Sequence, residues 1–312
     1  MKRAVSLLPA ATEIVAALGL MDSLVGVSHE CDYPREANEK PRVTRCEIHA
    51  AGLPSREVDR WVTQALTERG TLYTLDEPLM RSLRPDVILT QRLCDVCAVS
   101  FGSVAKFAAT LPGPPQVASL EPTSLAEIFE DIRRVAALMG VPERAEAAVA
   151  RLGDRVGAVQ SLAAQSIRRP RCVILEWIDP PFCSGHWNPE LVELAGGEEA
   201  LGRKGQDSRR VAWEAVVSAQ PEVLILACCG YPVQRTLEDA RILERNPGYA
   251  SIPAVRERRV YAVDGCSYFS RPGPRIVDSL EMVAQILHPE LCAGRFPDRG
   301  IVPFPLTESR PG

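Results

Sequence analysis

The chain carries two copies of one pattern. Arg3-Ala4-Val5-Ser6-Leu7-Leu8 leads into Thr12-Glu13-Ile14-Val15-Ala16-Ala17-Leu18-Gly19. In the second half, Arg171-Cys172-Val173-Ile174-Leu175 leads into Pro189-Glu190-Leu191-Val192-Glu193-Leu194-Ala195-Gly196. A second pair follows in the same order: residues 80–89, ending Arg84-Pro85-Asp86-Val87-Ile88-Leu89, echo residues 217–226, ending Gln220-Pro221-Glu222-Val223-Leu224-Ile225-Leu226. A repeat of this size predicts two similar α/β lobes face to face. Folds of that kind bind ligands in a cleft at the ends of their strands.

Length agrees with two lobes, since 312 residues suffice for two ordinary domains. The net charge of −4 and the lack of any basic block argue against a nucleic-acid partner. No apolar run approaches the ~18 residues of a membrane span, so a membrane-embedded chain is not expected. Lys2-Arg3 followed by apolar residues resembles a short signal peptide. Pro9 and Glu13 interrupt it, however, and the segment reads equally well as strand, turn and helix. This predicts a retained N-terminus and a cytoplasmic protein. The alternative, if the start is misassigned, is the periplasm or cell surface. Ten cysteines in a reducing compartment point to metal, cofactor or redox roles rather than disulfides.

Short apolar runs at 4–8, 24–28, 86–91 and about 115–119 read as strands, with helices near 10–19, 55–69 and 123–140. From Pro142, apolar residues at three- and four-residue spacing (Ala145, Ala148, Leu152, Val156, Val159, Leu162) predict one long helix, a stiff connector between lobes. The alternation then resumes, with strands at 172–177, 223–228 and 259–263 and helices at 189–195, 212–219, 236–245 and 273–287. The expected division is an N-terminal α/β lobe at 1–141, an inter-lobe helix at 142–167, a C-terminal α/β lobe at 168–290 and an irregular tail at 291–312. The tail is read as coil because seven Pro and Gly residues punctuate it. The fold class is therefore α/β, with two Rossmann-like lobes, parallel-rich sheets and a ligand cleft between them.

Polar, aromatic and sulfur residues gather just after the strands, at 28–34, 94–97, 177–187, 229–231 and 264–271. Cys94-x-x-Cys97 has the spacing of a metal or dithiol pair, and Cys31 and Cys46 could complete a site. Thiolates favour zinc, an iron–sulfur centre or a corrinoid cobalt over hard cations. Unligated thiols are the plainer reading of the same residues. No Walker A, G-x-G-x-x-G after the first strand, G-x-S-x-G or H-E-x-x-H occurs, so an enzyme is not expected.

Several stretches resemble the class III periplasmic binding proteins, and among them the cobalamin (vitamin B12) binders that serve ABC importers. They are Val5-Ser6-Leu7 with Pro9-Ala10-Ala11-Thr12-Glu13, Val25-Gly26-Val27-Ser28, Asp32-Tyr33-Pro34, Pro180-Pro181-Phe182 with Ser184-Gly185, Gly196-Gly197-Glu198, and Tyr268-Phe269 with Arg271 and Pro274-Arg275. The resemblance covers roughly residues 3–288. It implies a non-catalytic binder of cobalamin, cobinamide or a related corrinoid, with heme, an iron–siderophore or a metal/redox protein as alternatives. It places ligand contacts at Tyr33, Phe182, Trp213, Tyr268, Phe269 and Arg271. It also implies an ABC permease partner reached through Glu214 and, beside Pro78, Glu77. The family's first-lobe tryptophans fall near Arg45-Cys46 and Gln91-Arg92, which are not aromatic.

Overall fold

The computed structural model describes residues 1–46, 52–92 and 99–305, and within them the chain divides into two compact units. The first is Met1–Leu152 with Pro272–Pro274; the second is Gly153–Arg271 with Arg275–Gly312.

The first unit runs β1 (Ala4–Ser6), α1 (Pro9–Ala17), β2 (Leu24–Val27), β3 (Thr44–Cys46), α2 (Ser55–Arg69), β4 (Tyr73–Leu75), α3 (Glu77–Leu83), β5 (Val87–Thr90), α4 (Phe101–Ala109), β6 (Gln116–Ser119) and α5 (Leu125–Met139). Its main sheet has the order β2-β1-β5-β6, with every pairing parallel. Both β1 and β5 are buried along their whole length, as strands covered on two faces must be. Ser124 caps α5 by accepting from the Glu127 amide, and Glu127 reaches back to the Thr123 amide at 2.6 Å. Gly140, at φ 79°, ends that helix in the left-handed region where a side chain is disfavoured. Pro142 then opens α6 (Pro142–Ala163). Ala145, Ala148, Leu152, Val159 and Leu162 form its buried stripe, and the division between the units falls inside this helix.

The second unit runs β7 (Arg171–Trp177), β8 (Phe182–Cys183), α7 (Asn188–Leu194), β9 (Glu198–Glu199), β10 (Arg209–Arg210), α8 (Trp213–Ser218), β11 (Val223–Leu226), α9 (Val233–Ala240), α10 (Pro253–Arg256), β12 (Val260–Ala262), α11 (Ile276–Leu287), α12 (Pro289–Cys292) and β13 (Val302–Pro303). Four of its strands are parallel neighbours in the order β9-β7-β11-β12. This is the order of the first unit: β7 stands where β1 stands, and β11 where β5 stands. The registers agree as well, with Val5 opposite Ile88 and Val173 opposite Leu224. The repeat seen in the sequence is thus a repeat of topology. Additions distinguish the second copy. The longer β7 pairs with β9 through its first residues and with antiparallel β8 through its last, and β10 pairs on β8.

Two departures from the sequence reading have physical causes. The tail is not coil throughout. It contributes β13, antiparallel to β12, because the buried Phe304 anchors it and donates its amide to the Val260 carbonyl at 2.8 Å. Pro303 is tolerated because β13 is an edge strand. The β3–β4 pair was not foreseen either, since Thr44-Arg45-Cys46 is too short and polar to read as a strand.

Candidate ligand site

In the first unit the loop after β2 is built by Arg42. Its guanidinium donates to the carbonyl of Ser28 at 2.8 Å, to that of Cys31, and to Asn38 Oδ1 at 2.9 Å. This clamp fixes the turn that carries His29, Cys31 and Tyr33. Tyr33 is 48% exposed. Cys31 is fully buried, with its sulfur 3.1 Å from Thr12 Oγ1 and 3.3 Å from Ser28 Oγ. Burial pushes its thiol up, against the pull of those hydroxyls. His29 rests on Thr44 Oγ1 through Nδ1 at 2.7 Å, and its Nε2 lies 3.2 Å from Glu30. Burial would lower its pKa, but Cys46 and Glu30 outweigh burial and raise it to about 9.

In the second unit the loops after β7 and β9 are held by two carboxylates. Glu176 accepts from the Gly185 amide at 3.1 Å, from Asn188 Nδ2 at 2.7 Å and from Ser208 Oγ. Glu199 accepts from the amides of Leu201 and Gly202, at 3.0 and 2.9 Å, and from Ser184 Oγ at 3.3 Å. Burial drives both pKa values up, Glu199 to about 7, although these donors pull the other way. The segments pack so tightly that a Cβ on Gly185 would overlap the backbone of Ser208.

Among the expected contact residues, Phe182 is half-buried, with the Arg210 guanidinium 5.5 Å from its ring centre. Tyr268 is also half-buried and lies 5.4 Å from Arg275. It sits on the π-helical turn Gly265–Phe269, set by Asp264 accepting from the Ser267 amide at 2.7 Å. Arg271 is buried, with Nη2 3.4 Å from Cys266 Sγ. Phe269 and Trp213 are placed differently from the expectation. Phe269 is 1% exposed, and its carbonyl accepts from Trp187 Nε1 at 3.0 Å. Trp213 belongs to the core of the second unit, donating to the Pro247 carbonyl at 2.9 Å and stacking on Tyr249. Trp213 opens α8 and Phe269 ends the π-helical turn, and both rings bury their apolar area in the second unit.

Cys94 and Cys97 lie outside the described residues. Among the described residues no group of three or more His, Cys, Asp and Glu comes together to hold a metal ion. Cys31 is instead enclosed by hydroxyls, and Cys46 lies beside His29. Glu77 and Glu214 are exposed, and Glu77 lies 3.5 Å from Arg81.

The sequence signature of the periplasmic binding protein family matches residues 5–265. The chain belongs to that family. An ABC transporter substrate-binding lipoprotein of Bacillus subtilis (strain 168), itself uncharacterised, is 23% identical, over 93% of this chain and 81% of its own. The vitamin B12-binding protein of Yersinia pestis (strain Pestoides F) is 27% identical, over 72% of this chain and 69% of its own. Among solved structures, the periplasmic heme-binding protein of Roseiflexus sp. RS-1 superposes with a TM-score of 0.70 at 24% identity, covering 93% of this chain and 99% of that one. The periplasmic vitamin B12-binding protein of Vibrio cholerae gives 0.67 at 23%, covering 92% and 96%. These likenesses show the two-lobe α/β fold. They also correct the cytoplasmic expectation: a lipoprotein and periplasmic proteins place the family outside the cytoplasm. Pro9 opens α1 and Glu13 lies within it, so the interruption reports a helix and carries no information about compartment.

The sequence reading missed Glu176 and Glu199.

Proposed function

We propose that this binding protein takes up a corrinoid, cobalamin or cobinamide, without catalysing a reaction on it, and hands it to an ABC permease. The observation that carries the reading is the relation to a vitamin B12-binding protein over nearly three quarters of the chain, combined with Tyr33 exposed on the loop after β2. Tyr33 offers a ring face to the macrocycle. Phe182 and Tyr268, each beside an arginine, offer two more, and Arg271 answers the polar side groups of the ligand. Phe269 and Trp213, being buried, are left out of these proposed contacts. Glu77 and Glu214, one exposed carboxylate on each unit, are the proposed permease contacts.

Heme is the second reading, supported by heme-binding proteins among the structural neighbours. Parallel titrations with cyanocobalamin, cobinamide and hemin, followed by absorbance and calorimetry, decide between them. Corrinoid binding is expected, weakened at least tenfold in Tyr33→Ala. Saturable hemin binding with no heat from either corrinoid at high micromolar concentration would replace the first reading with the second.

A further inference from the structure

The turn that carries Tyr268 is short of donors for its last carbonyls. Gly265–Phe269 is a single π-helical turn, closed by the Ser270 amide donating to the Gly265 carbonyl at 2.9 Å. Turns of this kind recur at functional sites. The chain then continues Ser270-Arg271-Pro272-Gly273-Pro274. Proline has no N–H, so Pro272 gives Tyr268 no donor four residues on and Phe269 none three residues on.

Side chains from elsewhere in the second unit supply the donors. The Tyr268 carbonyl accepts from Ser279 Oγ on α11 at 2.9 Å. The Phe269 carbonyl accepts twice, from Trp187 Nε1 at 3.0 Å and from Asn188 Nδ2 at 3.3 Å. At the other end of the turn the Tyr268 amide donates to the Asp264 carbonyl at 3.3 Å. The backbone of Tyr268 is thus held on both sides, and so is the peptide that leads on towards Arg271.

Asn188 is the telling member of this set. It is 3% exposed, and it lies at the start of α7. Its amide nitrogen faces two acceptors, Glu176 Oε1 at 2.7 Å and the Phe269 carbonyl, and these neighbours fix the orientation of the group. Oδ1 is then left buried and, among the described residues, without a partner. An unpaired buried oxygen is costly, so asparagine is a poor choice for stability alone. What it adds is one donor shared between two structures. Glu176 holds Gly185 and Ser208, and the Phe269 carbonyl belongs to the turn.

We infer that Asn188, with Trp187 beside it, is a positioning residue for ligand binding: it holds the Phe269 carbonyl so that Tyr268 and Arg271 keep their places. This rests on the ligand contacts proposed above for Tyr268 and Arg271. Asn188 and Trp187 act through the turn and do not meet the ligand.

Two variants test this on the whole protein. Asn188→Leu removes the donor and the unpaired oxygen together. Trp187→Phe removes the indole N–H and keeps a buried ring, so it carries the same measurements if Asn188→Leu fails to fold. Hydrogen exchange of the free protein should quicken about tenfold over residues 266–271 in each. Titration with cyanocobalamin, cobinamide and hemin should show about tenfold weaker binding of whichever compound the unaltered protein takes up. Added to Tyr268→Ala, either variant should cost no more than about threefold further; added to Tyr33→Ala on the first unit, it should cost its full tenfold. A residue that only stabilises the fold would give equal losses in the two backgrounds, and that result would overturn the inference. Unchanged exchange in both variants would overturn it as well. If none of the three compounds binds the unaltered protein, the ligand reading falls, and exchange in the free protein still decides whether Asn188 and Trp187 hold the turn.

Discussion

The two units share a strand order and differ at the ends of the strands. In the first, β2-β1-β5-β6 opens onto a loop whose buried thiol is matched by hydroxyls and whose histidine has its pKa raised by Cys46 and Glu30. In the second, β9-β7-β11-β12 opens onto loops tied down by two half-buried carboxylates, each accepting three hydrogen bonds. Repetition has preserved what the apolar strands require and left the loops free to diverge. Such divergence allows two halves of one framework to present different chemistry.

The largest test of this comparison concerns the shared part. Leu89→Ala in β5 and Ile225→Ala in β11 truncate fully buried residues one step beyond the matched registers of the two sheets. Each should destabilise the protein by about 2–4 kcal/mol in denaturant unfolding. A cost twofold smaller in one unit would break the equivalence.

Next comes the part that differs. Glu176→Ala deprives Gly185, Asn188 and Ser208 of their acceptor, and should cost about 2–3 kcal/mol. Faster hydrogen exchange should appear over residues 203–208. In the first unit Thr12→Val removes one hydroxyl contact to Cys31, and should cost about 1 kcal/mol with no spread into neighbouring loops. Equal exchange in the two variants would mean that the loops of the units are held alike.

The smallest effects come from titration. Glu199 has a folded pKa of about 7, above its ordinary 4.5, so it binds more protons folded than unfolded. Its contribution to stability is present at acid pH and lost as pH rises towards 7. His29, raised from 6.5 to about 9, contributes below 6.5 and loses that contribution as pH rises through 9. Melting curves should thus show two successive losses of stability. Glu199→Gln should flatten the first and His29→Gln the second. A profile unchanged by either substitution would remove the electrostatic half of the comparison.

The framework was legible because burial on two faces writes itself as uninterrupted apolar runs, as in Val223-Leu224-Ile225-Leu226 and Val87-Ile88-Leu89. The long helix showed in its three- and four-residue spacing. β13 was hidden because Pro303 argues against a strand and only the burial of Phe304 argues for one. At the site, the repeat placed chemistry at the strand ends but said nothing of which rings face solvent. Trp213 and Phe269 resolve inward through bonds to the carbonyl of Pro247 and from the indole of Trp187, partners distant in the chain. The clamping role of Glu176 likewise depends on Ser208, thirty-two residues on, and no local pattern encodes it.

One cluster ties the end of the chain to the second unit. Arg155 on α6 pairs with Asp278 and Glu281 on α11, and Arg299 pairs with the same two carboxylates at 2.9 Å each. Two cations and two anions alternate around a closed ring, so the ring has no spare corner. Trimming the chain before Arg299 would remove far more than a loose end. It would leave two shielded carboxylates sharing a single counter-charge and strip Phe304 from its seat on β12. The stretch from Arg299 to Phe304 is a keystone of the second unit.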